Sequence, residues 1–66
     1  SSLKEMDDKI AAEPANATLY IQRAKLLIMK NNLAEAKKNV ETACKLEPTN
    51  KMFQLYLQQI TSRIKP

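Results

Sequence analysis

Few residues of this chain have side chains that could carry out chemistry. There is no histidine among the 66 residues, and Cys44 is the only cysteine. The chain therefore cannot assemble a zinc site, a histidine-dependent triad or an internal disulfide. Cys44 falls among apolar residues at helical spacing, which indicates a buried and inert thiol. We predict that the protein uses neither a metal nor a cofactor.

The remaining candidates for catalysis are carboxylates. Glu35, Glu41 and Glu47 fall on the polar sides of predicted helices. General acid–base catalysis needs carboxylates in a cleft, where they reach a substrate. Solvated surface charges explain these three residues better. We predict that the chain is not an enzyme and that it acts by binding.

The charge of the chain is uneven. Residues 1–13 contain four acidic and two basic residues, whereas residues 14–66 contain three acidic and nine basic ones. A basic surface favours acidic partners or nucleic acid. The basic side chains are spread around the helices, however, and no aromatic residues lie between them on which bases could stack, which disfavours nucleic acid. These residues are Arg23, Lys25, Lys30, Lys37, Lys38, Lys45 and Lys51.

Helices must position any binding surface. The chain has no glycine, which disfavours turn-rich β structure, and its apolar residues recur at helical spacing. Pro14 and Pro48 end two of the helices, and Asn31 and Asn32 form a turn. Such short connections make consecutive helices antiparallel. The prediction is an all-α fold, an antiparallel four-helix array of α-hairpins, in a single domain over 1–66. The helices are predicted at about 2–12, 17–30, 33–46 and 51–64.

The sequence contains no candidate membrane span. Its longest apolar run, Leu26 to Met29, is far shorter than the roughly 20 residues that cross a bilayer. No pattern typical of a signal peptide is visible either. We therefore predict no membrane insertion, and the sequence leaves the localisation open.

A short motif occurs twice in the chain. Glu13-Pro14-Ala15-Asn16 returns, with one substitution, as Glu47-Pro48-Thr49-Asn50, which defines a 34-residue period. The tetratricopeptide repeat has a period of this length. Residues 17–50 resemble one complete repeat of that family, with small residues where two helices approach closely and large residues beside them. The matching positions are Tyr20, Ala24, Leu27, Ala36, Val40, Ala43, Leu46 and Pro48.

The resemblance extends to the flanking helices. Residues 2–13 resemble the second helix of a preceding repeat, and 51–64 resemble the first helix of a following one. Gln58 stands where the family has glycine, which is typical of a capping helix without a close neighbour. Arg23 and Asn31 replace the usual leucine and glycine. The resemblance implies a fragment of a right-handed α-solenoid.

The resemblance also implies a non-enzymatic protein-binding module, a scaffold or adaptor. In this family the first helix of each pair lines a concave groove for a peptide or helix. The helix at 17–30 agrees in part, because it is apolar on more faces than one neighbour can cover, so a ligand or another repeat should lie against Ile21, Ile28 and Met29. The implied binding residues are Thr18, Ile21, Gln22, Lys25, Ile28, Met29, Met52, Leu55, Tyr56, Gln59 and Arg63.

Two alternatives remain open. Roughly three repeats are normally needed for a stable array, and this chain has about two. Its apolar end helices could therefore pair two copies into a homodimer, which would make it a structural or self-association module. A basic nucleic-acid-binding domain is the weaker alternative.

Overall fold

A computed structural model describes residues 2–64 of the chain. Within this range the chain forms four helices and no strand, which confirms the predicted all-α class. Residues 1, 65 and 66 of the predicted domain lie outside the described part. The helices are α1 (Leu3–Ala12), α2 (Ala17–Met29), α3 (Leu33–Leu46) and α4 (Lys51–Arg63).

The helix bounds agree with the approximate predicted ones, and three ends differ by one residue. Ser2 is the N-cap of α1, and Lys30 and Ile64 are the C-caps of α2 and α4. Cap residues lie half inside a helix, and their backbone angles differ from those of the helix interior. The spacing of apolar residues in the sequence does not distinguish a cap residue from a residue inside the helix.

Each helix begins at a side chain that caps its first turn. The Ser2 hydroxyl accepts a hydrogen bond from the Glu5 N–H at 3.2 Å, and the Glu5 carboxylate accepts one from the Ser2 N–H at 2.9 Å. This reciprocal pair is a capping box, and the bond from the Ser2 N–H lowers the pKa of the Glu5 carboxyl. Asn16, Asn32 and Asn50 cap the other three helices through their side-chain oxygens.

Asparagine replaces glycine at the turn after α2. Asn31 has a φ of 61°, in the left-handed region that glycine usually occupies. The Asn31 N–H donates to the Ile28 carbonyl at 2.9 Å, and the Asn32 N–H donates to the Leu27 carbonyl at 2.8 Å. These two bonds form the Schellman arrangement that closes helices. The turn reverses the chain, so α3 returns along α2.

The 34-residue period is repeated in the backbone of two loops, the first proline loop (13–16) and the second proline loop (47–50). At the glutamate, φ and ψ are −137° and 69° in the first loop and −132° and 74° in the second. At the asparagine they are −83° and 96° against −78° and 101°. The chain therefore passes from α1 to α2 and from α3 to α4 with the same local geometry.

The same kinds of side-chain bond hold both loops. In each loop the asparagine amide donates to the glutamate carboxylate. The Tyr20 hydroxyl donates to the Pro14 carbonyl at 2.9 Å, and the Gln54 amide donates to the Pro48 carbonyl at 2.7 Å. Tyr20 and Gln54 are also separated by the 34-residue period. Different side chains thus satisfy equivalent carbonyl groups.

The core is densest between α2 and α3, which contact each other more extensively than any other pair of helices. Ala24 on α2 is 1% exposed, and Ala36 and Ala43 on α3 are 0% exposed. Small residues allow two helices to approach closely, and larger residues fill the space beside them. The larger members of the core are Ile21, Leu27, Val40, Phe53 and Ile60.

Arg23 joins α2 to both α1 and α3. Its Nε donates to Asp7 at 2.8 Å, and its Nη1 donates to the Asn39 side-chain oxygen at 3.3 Å and lies 3.7 Å from Glu35. Asn39 is buried, and its amide nitrogen donates to the Glu35 carbonyl. Together with buried Met6, the Asp7 pair attaches α1 to the rest of the molecule.

We predict that Ala36→Leu destabilises the fold. A leucine has no room at this position, and overpacking a core typically costs about 1–3 kcal/mol. Circular dichroism should show a melting temperature lower by several degrees, since about 1 kcal/mol shifts it by roughly 4–8 °C in a domain of this size. Ala34→Leu is the matched control, because Ala34 is exposed on the same helix and its replacement should change stability by about 0.5 kcal/mol or less. Equal effects of the two substitutions would contradict close packing at Ala36.

Candidate binding groove

An open groove lies between α2 and α4, with α3 beneath it. Its volume is about 540 Å³, within the range of roughly 300–1,000 Å³ common for ligand pockets. We refer to it as the α2–α4 groove. Its apolar lining consists of Ile21, Ala24, Ile28, Val40, Tyr56 and Ile60. Its polar lining consists of Lys25, Gln59, Ser62 and Arg63.

Helical periodicity brings these side chains onto facing sides. On α2, Ile21, Lys25 and Ile28 are four and three residues apart, so they share one face of the helix. On α4, Tyr56 and Ile60 are four residues apart. Because α3 is antiparallel to both of its neighbours, α2 and α4 run in the same direction. Two parallel rows of side chains therefore form the walls of the groove.

The structure brings together about half of the predicted binding residues. The predicted residues that line the α2–α4 groove are Ile21, Lys25, Ile28, Tyr56, Gln59 and Arg63. Those that lie outside it are Thr18, Gln22, Met29, Met52 and Leu55. Met29 lines a separate depression beside Leu3, at the start of α1.

Ile21 is buried by the chain itself, although the sequence predicts that a ligand or another repeat lies against it. Its side chain is only 5% exposed, because the core of the chain itself covers it. Ile28 is half-buried, and Met29 is 81% exposed. The apolar surface of α2 that is left for another molecule therefore lies toward its C-terminal end.

Sequence reasoning missed four residues of the lining. Ala24, Val40 and Ile60 fit the core pattern, and they are indeed at most 3% exposed, but they also form the floor of the groove. Periodicity separates buried from exposed faces and does not show where a buried face borders a depression. Ser62 could have been found from the repeat, because it follows Ile28 by one 34-residue period.

The α2–α4 groove carries positive charge. Lys25 and Arg63 line it, and no aspartate or glutamate does. Lys25 Nζ lies 5.6 Å from the centroid of the Tyr56 ring, within the range of a cation–π contact. Within residues 2–64, neither Lys25 nor Arg63 forms an ion pair with a carboxylate. Both cations are therefore available to a ligand.

Cys44 is less buried than predicted. It is half-buried and lines a shallow depression between α3 and α4, together with Glu41 and Leu57. Burial, and after it the negative charge of Glu41, raises the pKa of the Cys44 thiol. The thiolate is the reactive form of cysteine, so a raised pKa keeps this thiol weakly nucleophilic at neutral pH.

The described part of the chain holds no cluster of three or more cysteine, aspartate or glutamate residues that could bind a metal ion. Within the same range, no helix has the length and hydropathy needed to cross a bilayer. Two of the three carboxylates considered for catalysis, Glu35 and Glu47, have structural contacts. Glu35 lies beside Arg23, and Glu47 accepts a hydrogen bond from Asn50.

Comparison with protein-family models, with curated proteins and with solved structures gives no significant match in any of the three. The resemblance to the tetratricopeptide repeat therefore rests on the matching residues of 17–50 and on the 34-residue period. It stays a prediction, and so does the function that it implies.

We predict that Cys44 reacts with Ellman's reagent at pH 7.5 more slowly than a free cysteine does. Its rate should keep rising with pH beyond the usual thiol pKa of about 8.5, where the rate of a free cysteine levels off. Glu41→Gln should accelerate the reaction, because removing the neighbouring negative charge lowers the pKa, whereas Asp8→Asn on α1 should not. Above a pH of about 8.5 the Cys44 thiol loses its proton in the unfolded chain more readily than in the folded chain. The contribution of this group to the free energy of unfolding therefore decreases as pH rises. A rate equal to that of free cysteine would contradict the raised pKa.

Proposed function

We propose that the chain is a protein-interaction module of tetratricopeptide type, which binds a peptide or helix of a partner protein in the α2–α4 groove. The observation that carries this proposal is the groove itself. It combines an apolar floor with a few polar groups, the usual composition of a ligand-binding site. Ile28 and Tyr56 are half-buried there and offer apolar surface to the partner.

The two proline loops support the assignment to the repeat family. At the glutamate and the asparagine of each loop the backbone angles agree within about 5°, as expected of a tandem array of one structural unit. In such arrays the first helix of each hairpin faces the ligand. In our proposal α2 and α4 occupy those positions, and α1 and α3 act as the second helices.

A preformed groove suits this function. Both of its walls pack on α3, and its floor consists of buried core side chains. A partner therefore does not have to order the groove when it binds, and ordering is one of the main costs of association. The proposed binding requires no chemical step and no cofactor.

We predict that Ser62→Trp blocks the groove. Ser62 is exposed on α4 and lines the groove. The indole ring of the tryptophan can therefore fill space in the groove that a ligand side chain would otherwise fill, without disturbing the core. Burying one such side chain is worth roughly 1.5–3 kcal/mol, so affinity should fall about tenfold or more. A suitable probe is a fluorescent 18-residue helical peptide with leucines at i, i+3, i+4 and i+7 and glutamine elsewhere.

Thr61→Trp is the matched control for this experiment. Thr61 is the adjacent residue, is also exposed, and does not line the groove. Fluorescence anisotropy should show weaker binding for Ser62→Trp and unchanged binding for Thr61→Trp. In nuclear magnetic resonance titrations, the largest shifts should fall on residues of α2 and α4 around Ile28 and Tyr56. Binding that Ser62→Trp leaves unchanged would rule out the groove as the site.

Self-association is a second candidate function, favoured by one observation. Met52 and Leu55 on α4 are 61% and 51% exposed and lie three residues apart on the outside of the molecule. Adjacent exposed apolar side chains of this size are typical of contact surfaces between proteins. A second copy could cover them and leave the α2–α4 groove free.

Self-association predicts that the molar mass measured by sedimentation equilibrium rises from that of a monomer toward that of a dimer between about 10 µM and 1 mM protein, the range of weak association. Leu55→Gln should then restore the monomer, because it removes apolar area from the contact. Met29→Gln is the control, since Met29 is 81% exposed at the end of α2. A monomer at every concentration would eliminate the candidate.

A further inference from the structure

The α2–α4 groove contains two basic residues and no acidic one. The basic residues that are paired within 2–64 lie elsewhere: Lys4 pairs with Asp8 on α1, and Arg23 pairs with Asp7 and Glu35 at the junction of α1, α2 and α3. Lys25 and Arg63 border the groove without a carboxylate. Asp7 and Glu35 partner Arg23, and no carboxylate lines the groove, so the groove is positive.

The Lys25 side chain makes an aromatic contact across the groove. Its ammonium lies over the Tyr56 ring at 5.6 Å, so the cation bridges α2 and α4 above the apolar lining. A contact with an aromatic face neutralises no charge and leaves the other side of the ammonium free. A carboxylate can therefore approach Lys25 without displacing it from the ring.

Lys25 on α2 and Arg63 on α4 lie on opposite walls of the groove, and they are offset by about one helical turn along it. By the 34-residue period, Arg63 corresponds to Met29, four residues after Lys25. At 1.5 Å per residue, this offset is roughly 6 Å. A helix that lies along the groove can therefore reach both cations with one acidic residue on each side of its apolar stripe, about one turn apart along its axis.

The lining favours a helix over an extended peptide. An extended segment needs partners for its backbone N–H and C=O groups, and residues 2–64 contain no strand to pair with it. Most of the lining is apolar, and its polar side chains are few. A helix satisfies its own backbone groups and can lay an apolar stripe on such a surface.

We propose that the α2–α4 groove binds an amphipathic helix whose apolar stripe is bordered by two acidic residues, one on each side and about one turn apart along the axis, which contact Lys25 and Arg63. This inference rests on the proposed function and adds the chemistry of the partner to it. The apolar stripe contacts Ile28 and Tyr56. The two carboxylates set its orientation and select against basic segments, in the way that charge complementarity gives specificity.

Three peptides test this proposal. Each is an 18-residue peptide with blocked ends and the same leucine stripe, and the two border positions carry glutamate, glutamine or lysine. At 50 mM NaCl the glutamate peptide should bind about three- to tenfold more tightly than the glutamine peptide, as expected for two exposed ion pairs. The lysine peptide should bind most weakly. The differences should shrink at 500 mM NaCl because salt screens exposed charges.

Charge reversal provides the matched control. The double variant Lys25→Glu/Arg63→Glu should prefer the lysine peptide. Lys30→Glu/Lys51→Glu changes the net charge equally at exposed residues outside the groove, and it should keep the preference for glutamate. A preference that follows net charge in both variants would overturn the assignment to Lys25 and Arg63.

The outcomes separate this inference from the proposed function. If no peptide binds, or if Ser62→Trp affects none of them, the binding function itself fails. If Ser62→Trp blocks all three peptides but glutamate has no advantage, only the acidic partner is wrong. A glutamate peptide with a central proline cannot form the helix, so it should bind much more weakly. Equal binding by that peptide would overturn the helical partner and favour an extended one.

Discussion

Close contact between α2 and α3 is the constraint on which the rest of the structure depends. Ala24, Ala36 and Ala43 are almost completely buried, and nothing larger than a methyl group separates the helices at these positions. This short distance lets Arg23 reach Asn39 on α3 while it also bonds Asp7 on α1. It also places Val40 where it can form the floor of the α2–α4 groove. A larger distance between α2 and α3 would change both the contacts of Arg23 and the position of Val40.

The repeated proline loop places α4 beside α2, and the surface between these two helices contains the α2–α4 groove. Because the two loops have nearly the same backbone angles, α4 leaves α3 in the way that α2 leaves α1. The two helices therefore stand side by side on α3 and point in the same direction. Neither covers the other fully, and the α2–α4 groove is the space that remains. In our proposal this space is the binding site, so binding depends on loop geometry as much as on the side chains of the groove.

Burial separates two groups of cationic side chains in this molecule. Arg23 has a side chain that is 19% exposed, and carboxylates and an amide surround it. A charged group with so little access to water needs such partners. Lys25 and Arg63 are exposed, so water solvates them and the fold does not require that they be paired. They are consequently free to contribute to the recognition of a partner, which Arg23 is not.

The sequence by itself determined the helices, their order and their turns, because these depend on local chemistry. Pro14 and Pro48, the capping asparagines and the spacing of apolar residues act within a few positions of the chain, and they predicted each helix to within one residue at its ends. The family resemblance also indicated α2 and α4 as the helices that line a groove. Only the tertiary structure decided which of their residues meet there. Ile21 is covered by the core while Leu55, its equivalent one period later, stays exposed, because α2 packs between α1 and α3, whereas α4 packs extensively on α3 alone among the described helices. Burial depends on neighbours that are distant in sequence, and a periodic pattern does not identify them.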